Sequence, residues 1–385
     1  MSEIRVTNVL GENGNSPVNF TKGINMSGIV TATSFVPTTG QLSHRNIVVN
    51  GAMMVSQRGT SFSGTAQGYT LDRMQMNTVG NDEIAQTEQA AVTSGGAYTS
   101  GFRKCMKIIN GNQTSGAGAG DVVHLKMVLE AQDIANSGWN YTSSSSFITL
   151  SFWIKSSVAQ DFPITLRSED GTRQVYNMTT GSLTADTWTK VTKTIPGNSN
   201  LQFDDNNAAG LTLFVNAFVG TDYTTGSLAQ NAWSAWSGTK QGDNMTSTWY
   251  TTNNATLEIT GIQLEVGNTA TPFEHRNFTD EILRCQRYYT TYKTTAHHGR
   301  GGSSSSASFD FQTPVPLRTT PNVTNLNVST MRRYDNTSYG VGSATGSAHD
   351  LQGNCVRVSF NNLSNVTDNY TCWLVLNNMG LDAEL

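Results

Sequence analysis

Short runs of β-forming residues recur along this chain, each closed by a turn rich in Gly, Asn or Ser. The densest are Phe147–Ile154, Trp188–Thr192, Leu211–Val215 and Leu257–Leu264. β-Branched and aromatic side chains fit a pleated, half-buried surface, while Asn and Gly fit turns. Short strands at this spacing build an antiparallel sandwich or jelly roll. The 385 residues include 52 Thr, 37 Ser and 36 Asn, all poor helix formers. The expected fold is therefore mainly β, with a surface of hydroxyls and amides. Helical pattern is confined to Val122–Ile134 and Asn277–Lys293.

Charge excludes several partners. Lys+Arg is 24 and Asp+Glu 28, a net charge of −4, and charged residues make up 14% of the chain, against about 25% in an ordinary soluble domain. Nothing basic is in excess to neutralise a phosphate backbone, so nucleic acid is not an expected partner. No apolar run reaches the ~20 residues of a membrane span. The start, Met1-Ser2-Glu3-Ile4-Arg5, lacks the layout of a signal peptide, and synthesis in a cytosol is expected. With 37% hydrophobic residues, 7 Trp, 15 Phe and 12 Tyr, the chain has too many large side chains for disorder. Its four cysteines have no CxxC spacing and are expected as free thiols; Cys355 and Cys372 lie on neighbouring predicted strands.

The chain divides into four parts: an N-terminal arm (1–43), a central β-sandwich (44–276), a connecting helix (277–293) and a smaller C-terminal β domain (294–385). The arm alternates like strand but is too short to bury a core alone, so it needs a partner. In the helix, Phe278, Ile282, Cys285, Tyr289 and Tyr292 fall at steps of four and three, and Asn277 is an N-cap. That stripe serves either a parallel trimer seam or packing on the chain's own sheet. Gly299–Ser308 reads as a linker or mobile loop. Strands are expected around Phe309–Phe311, Val323–Val328, Val356–Phe360 and Trp373–Leu376.

Three blocks go beyond pattern: Asn46–Ser61 with Tyr69-Thr70-Leu71-Asp72-Arg73; Ile259–Gly267 running into Ala270–Arg276; and Cys285-Gln286-Arg287-Tyr288-Tyr289. Together they closely resemble a family of tailed-bacteriophage fibre and virion-appendage proteins common in phages of marine bacteria and cyanobacteria. Asn19–Gly23 and Gly28–Phe35 look like the attachment arms of such proteins, and Asp382–Leu385 is similar to their usual terminus. The resemblance implies a structural protein of the virion, made in the host cytoplasm. It implies a homotrimer with a carbohydrate-binding-module-like jelly roll, held to other phage tail or virion proteins through residues 1–43. A trimeric tail fibre would recognise host cell-surface glycan. The alternatives are a head, collar or baseplate appendage without receptor binding, and a glycan-degrading tailspike.

Sugars are held by aromatic faces flanked by amides, carboxylates and guanidinium groups. Trp139, Tyr141, Tyr223, Trp233, Trp236 and Trp249 lie in or beside polar loops, and each serves either packing or a ligand. Trp233 and Trp236 share a face only if their loop turns helically. Trp153 and Trp188 read as core. Met331–Asn354, with Arg332, Arg333, Tyr334, Asp335, Tyr339, His349 and Asp350, has the composition of a recognition loop. Asp204-Asp205-Asn206-Asn207 lacks calcium-loop spacing and reads as a turn. His297-His298 would meet a metal only on a trimer axis. Glu274-His275-Arg276 reads as a pairing element at the helix junction. No nucleophile elbow, zinc-protease motif or phosphate loop occurs, and adjacent Glu169-Asp170 is no glycosidase signature. No catalytic residue, metal or cofactor is expected, and the chain is not expected to be an enzyme.

Overall fold

Strand after strand in the central region sends every second side chain inward, and two facing antiparallel sheets result. The computed structural model describes residues 43–385 except positions 65, 227, 243 and 244; the arm reading, apart from residue 43, lies outside the described residues. In spatial order the first sheet is β1 (Ser61–Phe62), β4 (Gln86–Ala91), β5 (Lys104–Ile109), β13 (Thr256–Val266), β7 (Phe147–Ser156) and β10 (Thr189–Pro196). The second is β12 (Trp233–Ala235), β9 (Gln174–Thr179), β8 (Pro163–Ser168), β11 (Ala209–Val219), β6 (Val122–Glu130), β3 (Gln75–Val79) and β2 (Gln67–Tyr69). The chain crosses from sheet to sheet at β6–β7–β8 and again at β9–β10–β11, so spatial neighbours such as β13 and β5 are remote in sequence. This is the jelly-roll arrangement the strand spacing predicts. Leu150, Phe152 and Ile154 of β7 share one buried core with Leu125 and Met127 of β6 and Ile164 and Leu166 of β8.

Two central expectations are corrected. Val122–Ile134 is not a helix: Val122–Glu130 is strand β6, and only Ala131–Ala135 is helical. β6 lies between β11 and β3 and is buried almost throughout, so apolar residues stand on both faces and the alternation is hidden. Trp153 and Trp188 are not in the main core. Both are half-buried in a satellite cluster with Val92, Ala97, Phe102 and Cys105 on the outward side of the first sheet.

The connecting helix runs only from Phe278 to Gln286, capped by Asn277, whose side chain accepts from Asp280 N at 2.9 Å. Tyr289 and Tyr292 belong instead to strand β14 (Tyr289–Ser303), paired with Asp382 and Met379 of β20 (Thr371–Asp382). The five-residue stripe is therefore broken after Cys285. Tyr289 and Thr290-Thr291-Tyr292 are strong strand formers, and pairing with β20 decides their state. Cys285 is buried, Ile282 half-buried and Phe278 exposed.

The C-terminal strands form one antiparallel sheet, in the order β17 (Ser338–Tyr339), β16 (Asn322–Arg333), β20, β14, β15 (Ser306–Gln312), β19 (Cys355–Asn361) and β18 (Thr345–Gln352). It curls around its own core of Phe309, Phe311, Val358, Phe360, Leu374 and Leu376. The four expected C-terminal strands are all present. Gly299–Ser308 is not a linker but spans the β14–β15 hairpin, and its glycines fit close approaches: a Cβ on Gly301 would lie 2.3 Å from Thr367 O. Met331–Asn354 is not one loop; it holds the end of β16, β17 and β18. All four cysteines are free.

The three conspicuous sequence blocks meet in one buried junction. Asn46 donates through Nδ2 to Ile262 O and accepts through Oδ1 from Val48 N and Leu264 N. Arg276 donates to the carbonyls of Val48 and Asn46 and pairs with Glu274 (3.1 Å) and Glu281 (3.5 Å). Gln57 donates to Tyr289 O at 2.6 Å. The guanidinium groups of Arg58 and Arg73 lie 3.6 and 3.5 Å above the rings of Tyr289 and Tyr288. Arg58 also reaches Asp382 (3.1 Å) and Glu384 (3.4 Å), while Arg73 pairs with Glu384. Burial pushes the Glu384 carboxyl up, against the pull of the two guanidinium groups. Burial is the largest influence on Arg73 and opposes its charge, but Glu384 together with Tyr288 and Tyr69 more than offsets it, so the guanidinium is held above its ordinary range. Tyr69 Oη donates to Leu385 O at 2.6 Å. These contacts tie the sandwich to the C-terminal sheet.

Candidate ligand-binding face

One face of the C-terminal sheet covers its core, so period two sends the alternate residues outward. The register lines these up in two cross-strand rows. In the first, Tyr334 and Thr371 precede Arg300, Ser308, Ser359 and Ser347. In the second, Arg332 lies beside Trp373 and Trp373 beside His298, while Asp310 lies beside Arg357 and Arg357 beside His349.

At one end, the β16–β17 turn meets the start of β20. Arg333, Tyr334, Asp335, Tyr370 and Thr371 line an open depression of about 520 Å³. Tyr334 is 77% exposed and Tyr370 54%, two of the few large apolar side chains left uncovered among the described residues. The Arg333 guanidinium lies 5.0 Å over the Tyr370 ring and pairs with Asp335. Hydrogen bonds from Arg333 and then Thr337 hold the Asp335 carboxyl well below the usual carboxylate range. The platform therefore combines two exposed tyrosine rings with a fixed donor and acceptor, the donor lying over Tyr370. Next to it, across Asp368 and Asn369, a second depression of about 440 Å³ is lined by His298, Arg300, Gly301, Asp310 and Arg357. Asn369 N donates to Gly301 O and Gly301 N to Tyr370 O, both at 3.0 Å, which sets the two depressions side by side.

The sequence candidates distribute unevenly. Arg333 and Tyr334 come together at the platform, and Arg332 stands in the adjoining row with its guanidinium 5.8 Å from the Trp373 ring. Tyr339 does not join them; it is 4% exposed, facing the C-terminal core. Trp233 and Trp236 do not form a pair, because Trp233–Ala235 is a strand rather than a helical turn. Trp233 packs on Tyr176 at 5.2 Å and donates to Pro196 O, while Trp236 lies against the guanidinium groups of Arg167 and Arg173. Trp249 is fully buried, its Nε1 donating to Thr256 O. Trp139 is buried against Tyr141 and Phe203. Tyr223 is half-buried on a single 3₁₀ turn, its carbonyl accepting from Gln241 N. His297 and His298 cannot share an ion within one chain: the strand turns His297 inward against Phe311 (4.3 Å) and His298 outward. Asn207 of the Asp/Asn turn bonds to Arg318.

Sequence reasoning missed Tyr370, Trp373, Arg300, Asp310 and Arg357, and weighed His298 only as a metal ligand. A signal existed for Trp373: in Thr371-Cys372-Trp373-Leu374-Val375-Leu376 the apolar core residues are Cys372, Leu374 and Leu376, which sends the tryptophan to the other face.

No family model matches this chain, and no curated protein matches it. Among solved structures it is similar to the enzymatically active domain of bacteriophage CBA120 tailspike protein 4, at 10% identity and TM-score 0.29, over 58% of this chain and 21% of that one. The chain thus spans about a fifth of that tailspike domain. It is also similar to a family 11 carbohydrate-binding module from Clostridium thermocellum (13% identity, TM-score 0.24, 54% of this chain and 94% of that one). A third is the tandem CBM22-1–CBM22-2 domain of Paenibacillus barcinonensis Xyn10C (9% identity, TM-score 0.28, 91% and 100%). Likeness at this level assigns no function.

Proposed function

We propose that the chain recognises a glycan through the outer face of its C-terminal sheet and does not cleave it. The observation that carries this reading is the pair of exposed tyrosines, Tyr334 and Tyr370, set beside the Arg333–Asp335 pair in one open depression. Tyrosine offers a broad face for sugar C–H groups at low entropic cost, and the ion pair offers a donor and an acceptor to hydroxyls. Asp310 and Asp335 are each tied to an arginine, which suits binding better than a glycosidase's need for a protonated acid.

The finer reading is a trimeric tail fibre on a phage particle, attached through residues 1–43 and presenting this face to the host surface. Its support is the resemblance of the three sequence blocks, together with a surface low in charge that lets many copies pack without repulsion. Glycan-array binding by the purified protein tests the recognition step. Tyr334→Ala and Tyr370→Ala are each expected to weaken binding about thirtyfold, the scale of an interface hot spot. Undiminished binding by the double variant would refute the assignment to this face.

A further inference from the structure

Resting on the glycan reading, we infer that the ligand is an uncharged polysaccharide laid across the strands, engaging the sheet well beyond the tyrosine platform. The register carries the first half of the argument. Arg332, Trp373 and His298 stand side by side on β16, β20 and β14, and Asp310, Arg357 and His349 side by side on β15, β19 and β18, with His298 and Asp310 lining one depression. Neighbouring strands are about 4.8 Å apart and the sheet curls until β16 meets β18, so the stretch from the platform on β16 and β20 to the depression on β14 and β15 is about 14 Å, longer than one sugar. The adjoining row, from Tyr334 and Thr371 to Ser347, supplies hydroxyls: Ser308 and Ser359 lie 2.9 Å apart, and His349 reaches Ser359 at 2.8 Å. The platform and the Gly301-floored depression lie along these rows, and Trp373 stands between Arg332 and His298 as a third aromatic face.

Charge carries the second half. Arg300, Arg332, Arg333 and Arg357 are matched by Asp310, Asp335, Asp350 and Asp368 on the same face or its rim. Arg357 makes a bidentate contact with Asp310 (2.8 and 3.2 Å) and lies 3.9 Å from Asp350. Arg333 is held by Asp335, while Arg300 and Arg332 donate to the neutral amides of Asn369 and Asn336. Asp368 lines the Gly301-floored depression with Arg300. A polyanion would meet the carboxylates of Asp310 and Asp335 already paired with two of the four guanidinium groups, and Asp368 lining the same depression as a third. A neutral polyol finds donors and acceptors in alternation and loses nothing to repulsion.

The test measures binding of the full chain to neutral polysaccharides (glucan, mannan, galactan, xylan) and acidic ones (polygalacturonate, alginate), then to a length series of the best binder. The expected result is preference for a neutral polymer and affinity rising at least tenfold from di- to hexasaccharide. It should vary little between 50 and 500 mM salt. Trp373→Ala should remove about tenfold for the hexasaccharide and little for the disaccharide. His298→Ala, at an exposed strand position, should act in the same direction without touching the fold. Preference for polygalacturonate or alginate with loss of binding in salt, or equal affinity for short and long oligomers, would overturn this inference while leaving glycan recognition standing. Binding to none of the six polymers would overturn both.

Discussion

At the level of single residues, the strongest constraints sit where charge is buried. Arg73 and Glu384 are both nearly sequestered from solvent, at 2% and 3% side-chain exposure, and they join two parts of the chain 311 residues apart. Removing one partner strands the other, which costs about 3–5 kcal/mol in such pairs; Arg73→Met should lower unfolding free energy in urea by that order. His124 is buried beneath Phe214 with Asn77 donating to its Nε2, and burial, reinforced by Lys126 and Arg167, drives its pKa down to about 3. The folded state therefore cannot take the proton that an unfolded histidine accepts below about pH 6.5. Stability from this group is complete above that pH and falls by about 1.4 kcal/mol per pH unit as pH drops toward 3. In parallel acid titrations followed by circular dichroism, His124→Gln should flatten that slope relative to the unaltered chain; identical slopes would contradict the assignment.

Among the elements, what was legible was the alternation of half-buried strands, and what was not was any segment whose partner decides its state. β10 alternates and was read correctly; β6, covered on both faces, passed for a helix. The stripe from Phe278 to Tyr292 satisfied a helical pattern over fifteen residues, yet β20 claims everything from Tyr289 onward. The Gly/Ser run Gly299–Ser308 looked mobile because glycine was read as freedom. In the hairpin it answers crowding instead, with the Gly301 position facing Thr367 O and Gly299 facing Ser308 O. Gly301→Val should therefore destabilise the hairpin by about 1–3 kcal/mol, the usual cost of overpacking, read as a fall in thermal midpoint. Gly302→Ser, whose Cβ would sit at ordinary contact distance from Ser306 Oγ (3.5 Å), should change little.

For the whole molecule, the residues that stood out in sequence are those that hold it together. Asn46, Gln57, Arg58, Arg73, Arg276 and Tyr289 build the junction between sandwich and C-terminal sheet, while the candidate binding face is assembled from residues spread over strands β14 to β20 and leaves no local motif. A ligand face spread over several strands is defined only by register, which a linear reading cannot supply. The proposed trimer is checked by light scattering of the full chain. A mass near three times 41.6 kDa is expected, and a stable monomer would contradict it.

The central claim, that the outer face of the C-terminal sheet holds the glycan, is tested most directly by hydrogen exchange of the full chain with and without a bound oligosaccharide. New protection is predicted at residues 298–302, 331–336 and 368–373. Protection confined to the sandwich, around Trp236 for example, with those three segments unchanged, would contradict it.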